Sequence, residues 1–160
     1  MELFPAGVSI EAGEFASPNR PVMFFKDKEK KHVLPVWLSP VEAGIVLSEN
    51  SQRLPQTSPH HLTAKIFDQL DISLTHCIFT ELKGHYQYVN LHFEGSDKFK
   101  IIESRADQSM SLCLNSKVKF YCKKSFIQES KILDASLLDL PGYMGMKSRI
   151  SDNLKNKYLN

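Results

Sequence analysis

The sequence predicts an α+β fold, with a mixed, largely antiparallel sheet and short helices. Three observations carry this. Ser73 to Leu82 and His85 to Phe93 read as strands joined at Lys83-Gly84, a tight turn where glycine can take positive φ, so a hairpin lies mid-chain. Val33-Leu34-Pro35-Val36-Trp37-Leu38 is an apolar run of strand length that enters a helix start at Ser39-Pro40. A strand at Lys98 to Glu103, a helix from Ser104 and a strand at Val118 to Cys122 form a strand–helix–strand unit. Hairpins combined with such a unit require a sheet of mixed direction.

In chain order, residues 7–16 and Pro21 to Lys26 read as opening strands, and charged Asp27 to Lys31 turns into the strand of Trp37, which is expected to be buried. In the first helix Ser39 caps, Pro40 fits the first turn, and Glu42 falls where a capping box takes a carboxylate. The second helix starts at Ser58-Pro59-His60-His61, and Leu62, Ile66 and Leu70, spaced by four, are expected to face the core. In the third, Ser104 is the expected cap, Asp107 sits at the third helical position, and Ala106, Met110, Cys113 and Leu114 share one face. Val89, Leu91 and Phe93 alternate with Tyr86, Tyr88, Asn90 and His92, so one face of that strand should be buried and the other partly wet.

A chain of 160 residues fits one domain, placed at residues 1–132. Beyond it Leu137, Leu138 and Leu140 lead to Pro141-Gly142 and a polar segment, so residues 133–160 read as a C-terminal extension, partly helical. With 20 basic against 18 acidic residues the net charge is only +2, so any nucleic-acid contact must rest on a local patch. Cys77, Cys113 and Cys122 are odd in number and far apart, which argues against a zinc site or a disulfide framework. No apolar run reaches eighteen residues and no basic-then-apolar leader opens the chain, so no membrane partner and a cytoplasmic location are expected.

Taken in order, Pro21 to Asp27, Leu34 to Leu38 through Glu42-Ala43, His60 to Leu70, the Lys83-Gly84 hairpin, Glu103-Ser104-Arg105 and Val118 to Tyr121 resemble the bifunctional nuclease family over residues 7 to about 130. The resemblance implies a compact α+β domain and a phosphodiester-hydrolysing activity on RNA or DNA; other members act as regulatory proteins. Where the family commonly has Asp-Ala-Arg-Pro-Ser-Asp-Ala, this chain has Glu103 to Ser109, with Gln108 at the second Asp position. Where the family commonly has Arg-Pro-Leu-Thr-His-Asp, this chain has Gln56 to His61 and keeps the histidine as His60.

Phosphodiester hydrolysis needs an activated water and positive charge on the developing oxyanion. Glu42, Glu103 and Asp107 are the candidate carboxylates for magnesium or manganese, His60 or His61 the candidate base, and Arg105 the candidate phosphate clamp. Glu42, His60, Glu103 and Arg105 are expected to meet in one cleft at the helix starts. Each has a plainer reading: Glu42 and Asp107 suit capping, and Arg105 suits an internal ion pair. His76, His85 and His92 read as ordinary strand and turn residues. Lys119, Tyr121, Lys123 and Lys124, in a run that also holds Phe120 and Phe126, form the candidate nucleic-acid surface, against the plainer reading of a lysine-protected sheet edge. Two functions follow, a nuclease or a non-catalytic module that binds nucleic acid or protein, and a homo-oligomer is compatible with both.

Overall fold

The computed structural model of the chain describes residues 1–9, 21–50 and 58–130. The extension expected at residues 133–160, and residues 10–16 of the first expected strand, lie outside them. The strands are β1 (Glu2–Ser9), β2 (Val22–Lys26), β3 (Val33–Trp37), β4 (Ser73–Lys83), β5 (Tyr86–Glu94), β6 (Ile101–Arg105) and β7 (Lys119–Cys122). The helices are α1 (Pro40–Asn50), α2 (Pro59–Gln69) and α3 (Ala106–Asn115), and residues 124–130 form a fourth, α4.

All seven strands join one sheet in the order β3-β2-β1-β7-β4-β5-β6. Every pairing is antiparallel except β4 with β7, the two strands separated in sequence by the β5–β6–α3 segment. The sheet curls. Its curl is visible in Gln87 of β5, whose buried amide donates to the Pro35 carbonyl of β3 at 2.8 Å and accepts from the Trp37 N–H at 3.3 Å. Inside the curl Phe25, Leu34, Val36, Phe79, Val89 and Phe120 meet Met110 and Cys113 of α3 in one core. Phe25 stands edge-on to Phe79 at 5.6 Å and tilted to Phe120 at 4.8 Å, geometries in which aromatic pairs stabilise beyond their buried area. Trp37 is buried as its sequence context predicts.

Local signals explain most boundaries. Gly84 turns the β4–β5 hairpin at φ +60, a left-handed conformation that glycine adopts without steric cost. The Ser39 hydroxyl accepts the N–H of Glu42 at 3.1 Å, and that of Ser58 accepts the N–H of His61 at 3.2 Å.

Three expectations are corrected. The first strand begins at Glu2, because Leu3 is a core residue and pairs with Phe120 of β7. β6 runs to Arg105, which becomes the N-cap of α3 without a side-chain cap bond; Ser104 is therefore not the cap and Asp107 is the second helical residue, not the third. Leu62, Ile66 and Leu70 do not face the core, being 61%, 48% and 59% exposed. The rotation of α2 is set instead by Phe67, edge-on to Phe93 of β5 at 5.4 Å, and by a polar contact of His60.

Candidate functional site

That polar contact joins all three long helices. Glu42 stands in the first turn of α1, yet its carboxylate turns away from its own helix end. Oε1 accepts the backbone N–H of Ser111 in α3 at 2.6 Å, and Oε2 meets Nε2 of His60 in α2 at 3.1 Å. Ser111 is the sixth residue of α3, beyond the four N–H groups that a helix start leaves unpaired, so the carboxylate is inserted against a neighbouring helix rather than capping one. The Glu42 side chain is 4% exposed and that of His60 20%. With Nε2 facing the carboxylate, Nδ1 is the ring nitrogen left for another partner. The result is a buried orienting carboxylate behind a ring that reaches the surface.

Deeper still, the free Cys113 thiol shares a hydrogen bond with the free thiol of Cys77 in β4 and is pushed well above its ordinary range by that hydrogen bond, by burial and by the nearby Glu42 charge. Glu42 thus sits on the inner side of the sheet. His61, Lys65 and Asp68 of α2 line a groove of about 310 Å³ with Ser73, Leu74 and the α3 end at Asn115.

Arg105 and Asp107 form a separate pair at the β6–α3 junction. Arg105 Nε donates to Oδ1 of Asp107 at 2.9 Å and Nη2 to Oδ2 at 2.5 Å, while the guanidinium lies 3.7 Å over the Tyr86 ring. This bidentate bond, chiefly, raises the affinity of Arg105 for its proton. Glu103 is exposed, with Lys83 Nζ 3.5 Å away. It is the sheet partner of Asn90, whose neighbours Val89 and Leu91 point into the core, so Glu103 faces outward. The sheet therefore separates Glu103 from Glu42. The four residues expected in one cleft stand instead as Glu42 with His60, Arg105 with Asp107, and Glu103 with Lys83. Among the described residues no three His, Cys, Asp or Glu side chains gather where a metal ion could be held.

Lys119 and Tyr121 share the outer face, because Phe120 and Cys122 between and beside them are buried; Lys123 and Lys124 follow, exposed. Two residues that the sequence reading left as ordinary strand positions meet on this same face. His76 of β4 is the direct partner of His92 of β5, their ring centroids 5.6 Å apart, with Tyr121 5.9 Å from His76. His92 is held below its ordinary pKa, first by burial and then by the neighbouring His76. The alternation of β5 already marked the face of His92. The register of β4 did not, because it shifts between Leu74 and His76.

Fold and site thus define an α+β domain built on one curled sheet, with an oriented imidazole inside the helical layer and an aromatic and basic strand face outside. The bifunctional nuclease domain model matches residues 23–134, and the chain belongs to that family. No curated protein matches the chain.

Proposed function

We propose that this protein is a nuclease hydrolysing phosphodiester bonds of RNA, DNA or both, with His60 as the general base. The observation that carries the reading is the Glu42–His60 pair, a 3.1 Å bond between a buried carboxylate and a part-exposed imidazole. Family membership supports the same chemistry. In the reaction His60 Nδ1 accepts the proton of the water as its oxygen bonds to phosphorus, the bond from phosphorus to the ester oxygen breaks and that oxygen takes a proton from solvent, and Glu42 stabilises the imidazolium and holds its ring in place.

Magnesium or manganese held jointly by Glu42, Glu103 and Asp107 does not fit these residues. Glu42 is taken up by Ser111 and His60, Asp107 by Arg105, and Glu103 lies across the sheet. Lys119 and Tyr121 on the outer face, with Lys123 and Lys124 beside them, lie across the sheet from His60, so they are proposed as a nucleic-acid contact separate from the His60 centre. A cytoplasmic location and self-association are proposed with it. No helix of the described residues is long and apolar enough to cross a membrane.

One observation favours a non-catalytic nucleic-acid- or protein-binding module on the same fold. The Arg105 guanidinium is already held by Asp107 and Tyr86. Incubating the protein with labelled single- and double-stranded RNA and DNA, with magnesium, manganese or chelator, separates the readings. Cleavage that is lost in His60→Ala supports the nuclease; retention of the probes without cleavage supports the module.

A further inference from the structure

We propose that the outer face of the sheet holds a second phosphodiester-cleaving centre, specific for RNA, in which His92 is the base, His76 the acid and Lys119 the charge-stabilising cation. The proposal rests on the nuclease reading for its substrate class and on a different set of residues for its chemistry. His76 is the register partner of both Lys119 in β7 and His92 in β5, so the three side chains form one row across three adjacent strands. Directly opposed residues on one face have Cβ atoms roughly 5 Å apart, close enough for all three to reach a single phosphate.

The row is tuned by the β4 irregularity. Thr75 is the residue skipped between the paired Leu74 and His76. Its hydroxyl donates to the His92 carbonyl at 3.2 Å, so its lone pair receives the Nδ1–H of His76 at 2.6 Å. This fixes the His76 ring and leaves Nε2 to face a substrate. Burial and the neighbouring His76 keep His92 neutral more readily than a free imidazole, which suits a base. Tyr121, half-buried beside His76, offers a ring on which a base can stack.

Two imidazoles of opposed role and a cation are the groups that ribose transphosphorylation requires. His92 takes the proton of the 2′-hydroxyl as the 2′-oxygen forms its bond to phosphorus. The bond from phosphorus to the 5′-oxygen breaks, and that oxygen takes the Nε2 proton of His76 in its imidazolium form, which keeps its Nδ1–H on Thr75. Lys119 offsets the charge gathering on the non-bridging oxygens. The products are a 2′,3′-cyclic phosphate and a 5′-hydroxyl, and proton exchange with water restores both rings. DNA, lacking the 2′-hydroxyl, is not a substrate here.

The test is incubation of the full chain, in excess chelator, with a labelled single-stranded RNA and with its fully 2′-O-methylated counterpart, the ends identified by mass spectrometry. Cyclic-phosphate ends from the RNA, none from the methylated strand, and a fall of about a hundredfold or more in His76→Gln and His92→Gln are expected. Chemical unfolding curves of both variants check that they fold. RNA cut without cyclic-phosphate ends, RNA left uncut while DNA is cleaved, or undiminished cyclic-phosphate formation in either folded variant would overturn this centre while leaving the nuclease reading intact; 5′-phosphate ends and cleavage of the methylated strand report the His60 centre. Wild-type protein that cleaves neither RNA nor DNA, with chelator or with metal, overturns both.

Discussion

Replacing Glu42 separates what the buried carboxylate does for stability from what it does for chemistry. Its two oxygens receive the Ser111 N–H at 2.6 Å and His60 Nε2 at 3.1 Å, in a side chain only 4% exposed. Glu42→Ala leaves the Nε2–H of His60 and the N–H of Ser111 without this acceptor, and leaving a buried donor unsatisfied costs about 1–3 kcal/mol. Glu42→Gln keeps the shape and one acceptor oxygen, so its cost should be about 1–2 kcal/mol. Its effect on rate should be far larger. An amide at this position carries no charge to stabilise an imidazolium and can present an N–H to Nε2, forcing the wrong tautomer, a change expected to slow cleavage about 10²- to 10⁴-fold. Urea unfolding measures the first effect and initial cleavage rates on labelled oligonucleotides the second. A Glu42→Gln protein that cleaves at the wild-type rate refutes the assignment of His60 as an oriented base.

Trp37→Ala should cost about 3–5 kcal/mol in urea unfolding, since this β3 side chain is buried. Leu62→Ser and Leu70→Ser should each change stability by no more than about 0.5 kcal/mol, because both side chains are more than half exposed; a large loss would show that α2 is turned the other way. If the outer face binds nucleic acid, changing Lys119, Lys123 and Lys124 to Ala should lower the slope of log affinity against log salt by about two to three units, read by fluorescence anisotropy. His92 has a depressed folded-state pKa, so below its ordinary value of 6.5 the unfolded chain takes up the proton more readily and stability falls as the pH drops. Wild-type unfolding curves between pH 7.5 and about pH 5 should show that loss, and His92→Gln should show less of it.

What the sequence made legible is what short-range chemistry decides. Ser39 and Ser58 cap because a hydroxyl can reach an N–H three residues on, and the Lys83-Gly84 turn forms because glycine tolerates φ +60. The alternation of β5 correctly divided Val89, Leu91 and Phe93 from Asn90 and His92. The rotation of α2 was not legible. Its Leu62, Ile66 and Leu70 stripe has a sound helical period, but which face turns inward is settled by Phe67 on Phe93 and by His60 on Glu42, a contact across 18 residues.

The site was legible in composition and not in arrangement. Glu42 and His60 were both nominated, whereas the Ser111 N–H that completes the site lies 69 residues from Glu42 and has no side-chain signature. Glu103 was grouped with Glu42 because both stand near helix starts. The strand β6 runs on through Ser104 and Arg105, and the register that pairs Glu103 with Asn90 puts Glu103 on the far face of the sheet. His76 and His92, 16 positions apart, meet only through a strand register that a skipped residue shifts.

The most direct test of the account compares wild-type protein with His60→Ala on the same labelled RNA and DNA, under matched protein concentrations and with unfolding curves for both. The account predicts cleavage by the wild type and a fall of about a hundredfold or more on at least one substrate when the imidazole is removed from a folded protein. Equal cleavage by the two proteins, or tight binding with no cleavage by either, would contradict it.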